Sequence, residues 1–364
     1  MKTETAKDRI EIQNAGSVQE TYTLMKAKLD GIVPEFELAH KAELVFEINR
    51  LKRDLKAIIL AHNYMEPALY HTVADHTGDS LELARISARS EADIIVFCGV
   101  RFMAETAKIL NPQRIVLLPA ENAGCSLAAS ITGDDVRRLK KQFPGVPVVS
   151  YVNTYADVKA ETDICCTSSN AAAVVRHLIE QGHERVIFLP DEYLARNVAA
   201  ETGIPIVFPS QPSGKIEDDP ENLERVILGW TGRCEVHEKF TVEDIENVRR
   251  QFPDTVVLAH PECSPDVIAA CDFSGSTKAM INYVKDVSAP RYLLLTECSM
   301  GDNIAAENRE KEMLRLCSVR CPHMNLITLE DTLKALQQRR YEIDLPEDMI
   351  EKARASLDRM LEIG

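Results

Sequence analysis

The chain has 364 residues, 45% of them hydrophobic, which suffices for two or three packed domains and gives no sign of disorder. A formal net charge of -15 argues against a nucleic-acid surface, which needs clustered Lys and Arg, and no apolar run approaches the roughly 20 residues that span a bilayer. The segment from Met1 to Arg9 leads into no apolar stretch of signal-peptide length, so a cytoplasmic, reducing setting is expected, with neither nucleic acid nor membrane as partner.

In chain order, residues 1–35 read as one or two covering helices, and an amphipathic helix over 36–55 feeds a strand over 57–61 that ends in His62-Asn63-Tyr64. A short helix follows around 66–76, and Gly78-Asp79-Ser80 caps a helix over 81–90. A strand (94–97), a helix (102–110) and a strand (115–118) lead to Cys125 in a loop. A second series runs through Tyr151-Val152-Asn153 and Thr167-Ser168, strand 204–208 and a polar connection over 209–220, to Cys234 after a further strand. The third carries His260-Pro261-Glu262 and Ser276-Thr277 and ends at Cys321-Pro322, where proline blocks helix continuation. Residues 329–338 and 346–361 read as closing amphipathic helices.

These series repeat one plan. Residues 135–153 and 244–262 share Gln-Phe-Pro and a Val-Val pair, and the copy at 51–64 is more diverged. Three times an apolar strand ends in a polar triplet, and the next helix opens on a small hydroxyl residue: Ser80, Ser168 or Thr277. A period near 90 to 100 residues is too long for a solenoid, so the expected class is α/β, with three homologous three-layer αβα units and parallel sheets. The expected organisation is covering helices at 1–40, units at 41–127, 128–236 and 237–325, and C-terminal helices at 326–364 packing back on the body. Pseudo-threefold symmetry would bring the triplets, hydroxyl caps and terminal cysteines to one central active site, since ligands gather at the carboxyl ends of parallel strands.

Ten cysteines are present, Cys317 among them, without any Cys-x2-Cys pair. One thiolate per unit, from Cys125, Cys234 and Cys321, suits a 4Fe-4S cluster with one open iron, or zinc; structural cysteines are the alternative. The caps Ser80, Ser168 and Thr277 would present positive helix ends to an anion, with His62, Tyr151, Asn153 and His260 as directional donors. Tyr64 and Glu262 are the expected proton movers. A hydro-lyase acting on a hydroxy acid, a non-catalytic sensor and a zinc enzyme all stay open on these residues alone.

Taken together, His62-Asn63-Tyr64, Gly78-Asp79-Ser80, the residues 102–110, the Cys125 loop, Tyr151-Val152-Asn153, the residues 167–170, Cys234-x-Val-His237, His260-Pro261-Glu262-Cys263, Gly275-Ser276-Thr277 and Cys321-Pro-His-Met324 resemble the quinolinate synthase family. The resemblance implies three αβα units around a 4Fe-4S cluster held by Cys125, Cys234 and Cys321. It implies condensation of iminoaspartate with dihydroxyacetone phosphate to quinolinate in NAD biosynthesis, with an L-aspartate oxidase as possible supplier. It carries substrate binding to His62, Ser80, Tyr151, Val152, Asn153, Ser168, His260, Pro261, Glu262 and Thr277, and catalysis to Tyr64, Glu262 and His260. Some members carry a Cys-x2-Cys-x2-Cys run at the third ligand, which residues 316–321 lack, so the matching disulfide switch is not expected.

Overall fold

Three helices, α1 (Glu4–Gln13), α2 (Val18–Leu29) and α3 (Glu35–Leu55), precede the first strand in the computed structural model, which describes residues 4–209, 225–314, 316 and 319–363. The expected connection is therefore described only at Pro209, and its residues 210–220, like Cys317, lie outside the described residues.

The first sheet takes β1 (Ala57–His62), β2 (His76–Gly78), β3 (Ile94–Cys98) and β4 (Ile115–Leu117) in the order β2-β1-β3-β4, with α4 (Pro67–Thr72), α5 (Ser80–Ala88) and α6 (Arg101–Leu110) between them. The second follows α7 (Gly133–Gln142) and consists of β5 (Val148–Tyr151), β6 (Ile164–Cys166), β7 (Arg185–Leu189), β8 (Ile206–Val207) and β9 (Val226–Gly229) in the order β6-β5-β7-β9-β8, connected through α8 (Ala156–Lys159), α9 (Ala171–Glu180) and α10 (Glu192–Thr202). After α11 (Val242–Gln251), the third sheet orders β10 (Thr255–Ala259), β11 (Phe273–Ser274), β12 (Arg291–Leu295) and β13 (Glu312–Leu314) as β11-β10-β12-β13, with α12 (Pro265–Ala270), α13 (Thr277–Asp286) and α14 (Cys298–Ala305). Every pairing between these strands is parallel, as short strand-helix-strand connections require, and β4 adds one antiparallel bridge from Leu117 to Glu342. The last helices, α15 (Leu329–Gln338) and α16 (Glu347–Ile363), pack respectively against α3 and against α8 and β6.

The central strands β1, β5 and β10 are nearly continuous apolar runs because helices cover both faces. Each fully buried Val, Ile or Leu in them contributes about 1.5–3 kcal/mol. The small edge strands β2, β6 and β11 are not evident from periodicity, being two or three residues long. A clamp holds each one: the carboxylate of Asp75, Asp163 or Asp272 accepts from the backbone N–H of Ile59, Val148 or Val257 at 2.7–2.8 Å. The same aspartates return their own N–H to those residues' carbonyls at 2.8–3.0 Å. In each sheet the clamp fixes where the edge strand begins, one residue after the aspartate, and the hydroxyl residue stands five positions past that aspartate: Ser80, Ser168 or Thr277.

Candidate active site

Strand ends from all three sheets open on one cavity. Its lining includes His62, Tyr64, Ser80, Cys125, Tyr151, Asn153, Ser168, Cys234, His260, Glu262, Thr277 and Cys321, so every expected site residue except Val152 and Pro261 lies on it. Those two instead turn their backbone carbonyls to other side chains, the buried Lys159 Nζ at 2.9 Å and the half-buried Asn197 Nδ2 at 2.8 Å. A larger groove of about 910 Å³ beside Lys140, His177 and Arg359 carries none of these residues.

The chemistry centres on Glu262, which is 3% exposed. Its Oε2 lies 2.6 Å from Nδ1 of His237 and 3.9 Å from Nδ1 of His260, and its Oε1 accepts from Asn153 Nδ2 at 3.1 Å. Burial alone would raise the carboxyl pKa, but His237 and His260 overrule it and hold the group well below the usual carboxylate range. Burial pulls His260 down to about 3, against the opposing pull of Glu262, and leaves it neutral at pH 7. The two rings stack with centroids 4.6 Å apart.

A second chain of polar contacts leaves His237 on its other nitrogen. Its Nε2 lies 3.0 Å from Thr296 Oγ1, and Thr296 Oγ1 lies 2.5 Å from the hydroxyl of Tyr64. Burial, and then the negative charge of Glu262, raise the Tyr64 phenol well above its ordinary value and keep it protonated. Glu262, His237, Thr296 and Tyr64 thus form a continuous relay drawn from the first and third sheets and the loop before α11. Thr296 and the His237 link are absent from the sequence reading, because Thr296 sits one residue beyond β12, a strand that does not precede one of the three matching triplets.

The hydroxyl caps need correction by one residue. Asp79 and Ser276 cap α5 and α13, accepting from Glu82 N at 2.9 Å and Ala279 N at 3.3 Å, whereas Ser80 and Thr277 are the first helical residues. Ser168 lies two residues before Asn170, the N-cap residue of α9. The shift frees Ser80 and Thr277 for the cavity, since the capping bonds fall to Asp79 and Ser276, and Ser168 lines the same cavity from the turn before α9. Thr277 Oγ1 accepts from Asn63 Nδ2 at 2.9 Å, and Ser168 Oγ lies 3.4 Å from His260 Nε2.

The expected 4Fe-4S cluster on three cysteines is also corrected. Among the described residues, the group whose ligand atoms lie mutually within 4.8 Å is Cys234, His237 and Glu262, with a single thiol. Cys125 and Cys321 line the same cavity but stand outside that group. One sulfur, one imidazole and one carboxylate could hold a single ion rather than a three-thiolate cluster. Convergence of the three units was the premise of the three-sulfur set; it brings the cysteines to one cavity, yet the nearest donors to Cys234 are His237, with Nδ1 at 3.2 Å, and Glu262. The cysteine loops themselves are alike: Cys125, Cys234 and Cys321 each stand seven residues before a helix-capping Thr (Thr132, Thr241, Thr328). The carbonyl of each cysteine accepts from the residue four further on at 3.0–3.1 Å.

Parallel αβα layers that turn acid-base groups and helix starts on a buried cavity define an α/β enzyme for a small ligand. The model of the family described as quinolinate synthetase A protein matches residues 46–362. The chain is 48% identical over 347 residues to quinolinate synthase 2 of Mesorhizobium japonicum, covering 95% of this chain and 99% of that one. It is 50% identical over 330 residues to quinolinate synthase 1 of the same organism (91% and 94% covered), and 49% identical over 336 residues to the quinolinate synthase of Sinorhizobium medicae (92% and 87% covered). The chain belongs to the quinolinate synthetase A family, the enzymes that form quinolinate by condensation in NAD biosynthesis.

Proposed function

We propose that the cavity joins iminoaspartate to dihydroxyacetone phosphate, releasing quinolinate, phosphate and water. The observation that carries this reading is an ionised, buried Glu262 tied to a protonated Tyr64 through His237 and Thr296, in a cavity on which three hydroxyl-bearing helix starts or turns converge. Ser80, Ser168 and Thr277, with His62, Tyr151, Asn153, His260 and Glu262, are the binding set. Hydroxyls and free N–H groups at helix starts suit carboxylates in a site without Lys or Arg. Glu262 is the group that takes a proton from the joined carbon skeleton, and Tyr64 the group that gives one to a departing hydroxyl. His260, neutral and 5% exposed, orients ligand oxygen through Nε2 beside Ser168.

The same reading divides the chain into units at 41–127, 128–236 and 237–325 about a pseudo-threefold axis, with covering helices at 1–40 and closing helices at 326–364. The three aspartate clamps and the three matching cysteine loops support it. A cytoplasmic setting and an L-aspartate oxidase supplying the unstable imine complete it. No helix among the described residues is long and apolar enough to cross a membrane.

The test supplies iminoaspartate, generated in situ, together with dihydroxyacetone phosphate, and follows quinolinate by mass spectrometry. Product is expected with the full chain, and a loss of roughly 10² or more with Glu262→Gln. Turnover of an unrelated hydroxy acid with no joining of the two substrates would overturn the reading.

A further inference from the structure

In each sheet the triplet at the end of the central strand leaves two backbone carbonyls to be satisfied by a side chain, on its middle residue and on the residue two further on. Those of Asn63 and Met65 accept from Asn303 Nδ2 at 3.1 and 2.9 Å. Those of Pro261 and Cys263 accept from Asn197 Nδ2 at 2.8 and 3.0 Å. Asn197 and Asn303 stand at the same place, six residues past the N-cap of α10 and α14.

The second sheet departs from this pattern. Six residues past the N-cap of α6 stands Thr106, whose hydroxyl is bound to Phe102 O. Lys159 does the work instead, its ammonium donating to Val152 O at 2.9 Å and to Thr154 O. Lys159 is 0% exposed, and among the described residues no carboxylate forms an ion pair with it. Burial pulls the ammonium down, against the opposing pull of Cys165, Glu105 and Asp157; of the two carboxylates, Glu105 is engaged by Ala156 N at 2.8 Å and by Arg101 at 2.9 Å, and Asp157 by Gly133 N at 2.8 Å. The other two sheets prove that a neutral amide satisfies this carbonyl pair, so a buried unpaired cation, which is costly, needs a further reason.

The cavity gives one. Its lining contains no Lys or Arg, although quinolinate is a dianion. Lys159 lies directly behind that lining: it holds the carbonyls on either side of Asn153, and its Nζ is 5.6 Å from the ring of Phe102, a cavity residue. We propose that Lys159 is a positioning residue that fixes Tyr151 and Asn153 through these carbonyls and sets a buried positive charge behind them as counter-charge to the anionic ligand. The role rests on the cavity being the site of quinolinate formation.

The test separates the charge from the hydrogen bonds. Thr106→Asn combined with Lys159→Met rebuilds in the second sheet the neutral arrangement of the other two. Titration calorimetry of the full chain with quinolinate is expected to show an affinity loss of roughly tenfold or more, with the melting temperature held within a few degrees. Lys159→Arg, which keeps the charge, is expected to stay within about threefold of the unmodified chain. An affinity in the double variant within about twofold of the unmodified chain would overturn the proposal, because a purely structural lysine is replaced by the asparagine. Should the double variant not fold, lysine-15N NMR on the unmodified chain decides: quinolinate is expected to raise the pKa of Lys159, and an unmoved value overturns the proposal. Absence of quinolinate binding by the unmodified chain would instead strike the reading of the cavity itself.

Discussion

The hydroxyl of Ser276 donates to Oδ2 of Asp79 at 3.0 Å, so the residues that cap α5 and α13 are bonded to each other across two sheets. Each also holds its own helix, Asp79 through Glu82 N and Ser276 through Ala279 N. Removing an ordinary cap costs about 0.5–2 kcal/mol. Asp79→Ala also breaks the bridge between sheets, so it is expected to cost about 2 kcal/mol or more in urea unfolding, more than Thr132→Ala at a cap within one sheet. A double-mutant cycle with Ser276→Ala is expected to give a coupling of about 0.5 kcal/mol or more; additive losses would mean the bridge contributes nothing.

The same pair shows what the sequence conceals. Strand triplets and hydroxyl residues announce themselves because a parallel strand is a continuous apolar run and its polar terminus is abrupt. Ser80 and Thr277 read as caps only because Ser and Thr favour that position, and Asp79 and Ser276 beside them are equally good cap residues. Which of two neighbours takes the bond depends on where the edge strand lies along the chain, and Asp75 and Asp272 hold its start by bonding to Ile59 and Val257. That signal was present: Asp75, Asp163 and Asp272 each precede the hydroxyl residue by five positions. Thr296, Asn197 and Asn303 were beyond reach, since their partners lie in other units: Tyr64 is 232 residues from Thr296, Pro261 is 64 from Asn197 and Asn63 is 240 from Asn303. The three-sulfur cluster failed as an inference for a related reason. Spacing can bring cysteines to one cavity but does not say which donors touch, and those near Cys234 are His237 and Glu262.

Acid should destabilise the fold through its buried histidines. Burial pulls His62 down to about 4 and His260 to about 3, against the opposing pull of Asp79 and Glu262 on His62 and of Glu262 on His260. An unfolded histidine titrates near 6.5. Between that value and the folded ones the unfolded chain binds protons that the folded chain refuses, so stability rises with pH across this window and falls as pH drops through it. The stability is complete above about pH 6.5 and is lost progressively downward, by up to about 1.4 kcal/mol per pH unit for each group. Glu297 works the other way in this window, because burial pushes its carboxyl up to about 7, so the readout is the difference between chains: from pH 7 to 5 the unfolding midpoint of His260→Gln is expected to fall less, or rise more, than that of the unmodified chain.

Thr296 tests the relay without touching either of its ends. Thr296→Val keeps the shape of the buried side chain but removes the oxygen lying 2.5 Å from the Tyr64 hydroxyl and 3.0 Å from His237 Nε2, leaving only the longer direct contact of 3.4 Å between Tyr64 and His237. We expect kcat to fall roughly tenfold or more with KM changed little, because the loss falls on proton movement rather than on binding. A raised KM at unchanged kcat would place Thr296 in binding instead.

Gly232 tests how the Cys234 loop is held. Its N–H donates to Pro190 O at 3.0 Å, and its carbonyl accepts from Glu192 N at 2.8 Å. Glu192, 3% exposed, also grips Arg233 at 3.0 Å, so the chain just before Cys234 is stitched to the start of α10. A Cβ at position 232 would stand 2.5 Å from Ser130 Oγ and 2.6 Å from Pro190 O. The first contact can be relieved by a side-chain rotation, but the second is to backbone already bonded to Gly232, and it cannot. Gly232→Ala is therefore expected to cost about 1–3 kcal/mol in urea unfolding. It should also lower kcat, because Cys234 and His237 follow directly and line the cavity. Adding Ser130→Gly removes only the first clash and is expected to restore only part of the stability; full recovery would show that the Pro190 carbonyl had yielded and that the stitch is soft.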